Sequence, residues 1–102
     1  MAYQVIVLPT ADKAIARLPK NTRARIADRL DDLSANPRPP GSVKLTGQDA
    51  YRIRVGDYRI IYTIHDDRLI VLVIDVGHRR EVYRRYNVEG DVRSERARLQ
   101  PH

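Results

Sequence analysis

Arginine and tyrosine crowd into two stretches, VGDYRIIY at residues 55–62 and VGHRREVYRRY at 76–86, each directly beside an apolar run. Arg59, Arg79 and Tyr83 are therefore carried on or next to strands, where they either coat a solvated sheet edge or face a phosphate. The second option has a definite chemistry. RNA cleavage by internal attack needs the ribose 2′-OH to lose a proton. It also needs a stabilised phosphorane and a protonated 5′-oxygen as that group leaves. Arginines stabilise such a charge-rich transition state. A tyrosinate can accept the proton if surrounding positive charge lowers a phenol's pKa from about 10. DNA lacks the 2′-OH and would be inert.

Other chemistries have no footing in the sequence. There is no Gly-rich phosphate loop, no HExxH and no GxSxG. The histidines, at 65, 78 and 102, have no ligand-spaced partners, so neither a metal nor another cofactor is expected. The absence of cysteine removes disulfides, Cys-based zinc sites and a Cys nucleophile, and fits a cytoplasmic home. His78 is open to three readings: proton donor, phosphate ligand or strand cap. Arg52 and Arg54, alternating along one strand, read first as a solvated face. Tyr58 and Tyr62 read as packing residues, His65 as an ordinary turn residue, and Tyr83 alone as a possible interfacial tyrosine. The arginines at 23–29 read as a wet helix face with ion pairs such as Arg25–Asp28. The residues by themselves point to binding an anionic polymer more than to cutting one.

These side chains must be positioned by a small scaffold. The chain has 102 residues, enough for one domain with a modest core, and 42% of them are apolar. Lys plus Arg number 19 against 13 Asp plus Glu, a net charge of +6. Most of the excess is arginine, whose planar fork suits phosphate. Such a balance suggests nucleic acid, an acidic protein or an anionic surface as partner. No apolar run approaches a membrane span, and MAYQVIVLPT reads as a mature first strand rather than a leader.

YQVIVLP (3–9) has the β-branched content of a strand ended by Pro9, and Thr10 is placed to cap a helix through ADKAIARL. Pro19 breaks that helix or opens the next. NTRARIADRLDDLSAN recurs apolar at Ile26, Leu30 and Leu33, a second helix and so an αα-hairpin. NPRPPGS (36–42) is a crossover loop. DAYRIRV (49–55), YRIIYTIH (58–65) and RLIVLVIDVG (68–77) form an antiparallel meander through turns at 56–57 and 66–67. Arg52 and Arg54 share one face of the first of these, Ile53 and Val55 the other. REVYRRY adds a short strand or helical turn. The order β-α-α-β-β-β gives a small α+β domain, a strand and helical hairpin packed on an antiparallel β-sheet, over residues 1–88. Residues 89–102 form a polar C-terminal tail.

Over roughly residues 3–86, this pattern resembles the RelE/ParE superfamily of type II toxin–antitoxin toxins. The similarity is carried by the strand, hairpin and Pro loop followed by KLTG…YRIRVGDYRIIY…IVLVIDVGHRREVY. The RelE branch implies a toxin that acts as a ribosome-dependent endoribonuclease (an mRNA interferase), cleaving mRNA in the A site. By that resemblance Arg59 and Arg79 match arginines that act on the scissile phosphate, and Tyr83 matches the general base. Arg52 and Arg54 match a lysine pair of the best-known member. They keep phosphate binding but donate protons poorly. Thr46 replaces an arginine there, with Lys44 nearby to compensate for a lost RNA contact. His78 occupies a basic position and is a candidate for the missing acid. Arg80, beside Arg79, joins Lys44, Arg52 and Arg54 as a phosphate-binding candidate. The implied partners are a cognate RelB-like antitoxin, mRNA and the ribosome, with no membrane and no direct DNA binding. Two alternatives stand beside this reading. One is a ParE-like DNA gyrase inhibitor, a branch generally without the Arg/Arg/Tyr set. The other is a non-catalytic RNA- or ribosome-binding domain.

Overall fold

In a computed structural model that describes residues 2–86, the chain folds as one five-stranded sheet with three helices. The elements are β1 (Gln4–Val7), α1 (Pro9–Ala16), α2 (Lys20–Ala35), β2 (Val43–Lys44), β3 (Tyr51–Val55), β4 (Tyr58–His65), β5 (Ile70–His78) and α3 (Arg79–Arg85). The strand order is β1-β5-β4-β3-β2. The meander expected from the sequence is present, with β3, β4 and β5 antiparallel in succession. The first strand joins it differently from its neighbours: β1 lies parallel to β5, Gln4 opposite Ile70 and Val7 opposite Val73. A parallel neighbour requires a crossover, which the two helices supply. The boundary at residue 88 and the tail at 89–102 lie outside the described residues.

Local chemistry explains the element ends. Pro9 occupies the start of α1, where its missing N–H is no loss, and Leu8 precedes it as the cap. Thr10, expected to cap, lies inside the first turn instead. Pro19 opens α2. Gly56 and Asp57 close a two-residue hairpin, with Gly56 at φ +58° in the first central position, a backbone that glycine adopts without strain. The next turn is longer than expected. It runs over 66–69, with Leu69 at φ +55°, so β5 begins at Ile70 rather than at Arg68.

Both sheet faces are covered. Ala11, Ile26 and Leu33 from the helical hairpin meet Ile53, Val55, Ile60, Tyr62, Val71, Val73 and Val76. Each such aliphatic side chain contributes about 1.5–3 kcal/mol on burial. The opposite face carries a smaller cluster, Leu45, Ala50, Ile61 and Val82, with Ile74, Tyr83 and Tyr86 against it. This second core is why α3 exists as a helix: Val82 is its buried anchor. The sheet register slips once, between Ile61 and Tyr62, which leaves Ile74 as the extra residue of a bulge on β5.

Candidate active site

The turn between β3 and β4 and the junction of β5 with α3 come together at one end of the sheet. Arg54 stands directly opposite Arg59, and Arg59 opposite Gly77. Tyr58 stands opposite His78, their rings 5.8 Å apart edge to face. The backbone N–H of Arg79 donates to the Asp57 carbonyl at 2.8 Å, which ties the start of α3 to the turn. Tyr83 follows Arg79 by one helical turn, so both project from the same side of α3. The backbone positions of Arg59, His78, Arg79 and Tyr83 thus lie at one end of the sheet, but His78, opposite Tyr58 and two residues from Val76, falls on the helical-hairpin face, while Arg59 falls on the face that carries Tyr83.

Their settings differ. Arg79 and Arg80 are exposed, and Tyr83 is half-buried against the second core. Arg59 is only 3% exposed, its Nη1 donating to the carbonyls of Gly56 and Tyr58 at 3.0 Å each. Its guanidinium is oriented by the turn before any ligand arrives. His78 caps α3, its Nδ1 accepting the Arg80 backbone N–H at 3.3 Å. In that arrangement the neutral ring carries its proton on Nε2, the one ring nitrogen left to donate.

The four phosphate-binding candidates separate. Arg52 and Arg54 do share a face, but Arg52 is 3% exposed and donates to the Gly41 carbonyl at 3.3 Å. Arg54 is exposed, and so is Arg80, beside the site. Lys44 stands opposite Tyr51, so it lies on the helical-hairpin face, away from the other candidates. The packing roles read for the strand tyrosines are present: Tyr62 is buried, stacks on Tyr51 at 5.8 Å and donates to the Pro37 carbonyl at 2.8 Å. Burial pushes its phenol up to about 12. Among the described residues no group of three His, Cys, Asp or Glu converges as a metal site.

The model of the family described as the ParE toxin of the type II toxin–antitoxin system parDE matches residues 5–83. The chain belongs to the RelE/ParE superfamily of type II toxins. Toxin RelG of Mycobacterium tuberculosis is 33% identical over 89 residues, covering 83% of this chain and all of the relative. The mRNA interferase toxin RelE of Escherichia coli K12 is 33% identical over 88 residues, covering 81% of this chain and 92% of that protein. The fold matches a chain of the intact E. coli RelBE toxin–antitoxin complex, with TM-score 0.68, 30% identity, and coverage of 76% of this chain and 96% of that one. It also matches one in the M. tuberculosis RelBE2 complex, with TM-score 0.70, 27% identity, and coverage of 76% and 99%.

One support of α3 escaped the sequence reading, the carboxylate of Asp75. Asp75 is 6% exposed at the bulge, where its Oδ1 accepts the Val76 N–H at 2.8 Å. Its Oδ2 accepts Arg85 Nε at 2.9 Å and the Tyr86 hydroxyl at 3.2 Å. Burial, then the Asp75 carboxylate, raises the Tyr86 phenol. The signal was a lone carboxylate inside IVLVIDVG, since a charge in a buried strand needs a partner. Arg85 is turned to Asp75 while staying exposed, as are Arg79, Arg80 and Arg84 on the same helix.

Proposed function

We propose that this toxin is an endoribonuclease of the RelE kind, cutting mRNA in the ribosomal A site and stopping translation. The observation that carries the reading is Arg79 and Tyr83 one turn apart on α3, with the helix start bonded to the turn that orients Arg59. In this scheme Tyr83, as its phenolate, takes the 2′-OH proton and becomes a phenol, and the 2′-oxygen attacks the adjacent phosphorus. Arg79 stabilises the phosphorane, with Arg59 behind it, and the P–O5′ bond breaks. The leaving 5′-oxygen takes its proton from His78 in the imidazolium form, whose Nδ1 has then released the Arg80 N–H, giving a 2′,3′-cyclic phosphate, a 5′-OH and a neutral imidazole. The steps use side chains alone, so cleavage should persist under chelation. Substrate alignment is left to the ribosome. The names of the relatives support the activity, because RelE of E. coli is an mRNA interferase. The RelB–RelE complexes among the structural neighbours support a RelB-like antitoxin as the restraining partner. Action on translating ribosomes places the toxin in the cytoplasm.

A second reading, gyrase inhibition, is favoured by the name of the matching family model. Induced expression separates the two when mRNA 5′ ends and gyrase-dependent DNA breaks are scored in the same cells. The nuclease gives new 5′ ends inside coding regions and intact DNA. DNA breaks with intact mRNA would reject it in favour of gyrase.

A further inference from the structure

Beside the β3–β4 turn, between α2 and the end of β3, a cleft of about 420 Å³ is lined by Arg25, Asp28, Arg29, Arg54, Val55 and Gly56. Among the described residues that line it, three are arginines and one, Asp28, is a carboxylate. The helix-face ion pair expected for Arg25 with Asp28 does not form; the pair on α2 is Arg29 with Asp32, at 3.3 Å. Among the described residues Arg25 meets no carboxylate within salt-bridge distance. Arg29 Nε is buried and has no hydrogen-bond acceptor among the described residues. Gly56 is what lets the cluster close. A Cβ there would sit 3.2 Å from Arg25 Nη2 and 3.3 Å from Nη1, so the guanidinium lies over a bare Cα.

Arg25 and Arg29 stand one helical turn apart on α2 and line the same cleft, and the Arg29 Nε donor is unmet among the described residues, a combination that fits an oxyanion. A phosphodiester supplies it, and the arginine fork matches it. The position selects its source. Arg54 lines the cleft and stands opposite Arg59 on the neighbouring strand, about 5 Å away across the ladder. A nucleic-acid strand with its scissile phosphate at Arg59 and Arg79 can therefore continue round the turn into the cleft. We propose that Arg25 and Arg29 form a subsite for a non-scissile phosphate of the RNA strand. The subsite rests on the nuclease reading for the identity of the strand, and its test is built to stand apart from cleavage.

The probe is a short fluorescent single-stranded RNA with 2′-O-methyl groups throughout, which cannot be cut. Binding to the purified full chain is followed by anisotropy from 50 to 200 mM salt, values chosen to span the steep electrostatic range. Arg25→Gln/Arg29→Gln is expected to lose affinity several-fold, with a salt slope shallower by about 0.7, one phosphate contact on a single strand. Arg25→Gln alone, at an exposed side chain, should show part of the effect with an unchanged melting temperature. Arg68→Gln, in the turn at the far end of β4, removes the same charge and should leave the slope as it was. Wild-type affinity and slope in a folded double variant would overturn the subsite. So would no binding of the probe by the wild type at 50 mM salt. Loss of binding to an acidic peptide with RNA binding intact would overturn it too, and assign the cleft to a protein partner. A slope change in a toxin that never cuts RNA would instead remove the nuclease reading and leave the subsite standing.

Discussion

Tyr83 is the residue on which the proposed chemistry can be tested most cleanly. Its ring packs on the second core, while its hydroxyl makes no hydrogen bond among the described residues. Tyr83→Phe should keep the melting temperature and reduce mRNA cleavage by about 10²–10⁴, the usual worth of a general base. Undiminished cleavage by the Phe variant would move the base to another group. Arg79→Ala, at an exposed position, should lose about 10²–10³ in rate without unfolding. Arg59 is a different case, because its removal also strips the turn carbonyls of their donor, so Arg59→Ala should lower stability as well as rate. His78 separates by substitution type. Asparagine can replace it as a helix cap and alanine cannot, so cleavage lost in both variants, with a melting temperature lowered only in alanine, marks a proton donor. If His78→Asn cuts at the wild-type rate, the imidazole is a cap alone.

At the scale of elements, α3 is held by its start and its end. The Arg79 N–H reaches Asp57, and Asp75 receives Arg85 and Tyr86. Asp75→Ala leaves three donors short and should cost about 2–4 kcal/mol, read as a lower urea midpoint, with cleavage falling as α3 loosens. At the opposite end of the sheet, Arg38 grips Asp66 at 2.8 and 3.2 Å, and Tyr3 donates to the same carboxylate at 2.6 Å. These bonds, Arg38's first, bring Asp66 down to about 2. A depressed folded pKa gives stability that is present above the unfolded value of 3.8 and lost as pH falls toward 2. The midpoint gap between wild type and Asp66→Asn should therefore close between pH 4 and 2. The groups are exposed, so the gap itself should be small. A gap constant down to pH 2 would remove the carboxylate from the account.

The same scale shows what the sequence could and could not convey. The meander was legible because alternation and a Gly-Asp turn are local signals. The parallel seat of β1 was not, since nothing near residues 4–7 names a partner at 70–73. Alternation put Arg52 and Arg54 on one face, yet could not tell that the loop at Gly41 and the Leu45–Ala50 segment would cover the first and leave the second open. Depth is a tertiary property, whereas facing is a secondary one. The helical state of α3 was left open for the same reason: Val82 commits it only once Ile61 and Leu45 are in place.

For the whole molecule, the consequential feature is that β5, the last strand among the described residues, lies between β1 and β4. Tyr3 and Asp66, bonded in the native state, are 63 positions apart. Closing such distant contacts is slow, and domains dominated by them fold in roughly milliseconds to seconds. During synthesis the order is more telling. The N-terminal strand and α1 emerge without β5, the strand they pack on, and His78, Arg79 and Tyr83 come at its end or later still. Fragments ending before residue 70 should show neither cooperative unfolding nor cleavage, measured by urea titration and by mapping RNA 5′ ends. Cutting by such a fragment would contradict the topology's hold on the site. The residues of the candidate site are thus joined to a complete sheet only in the last quarter of the chain, so on the proposed reading most of the toxin's own message is translated before it could be cut.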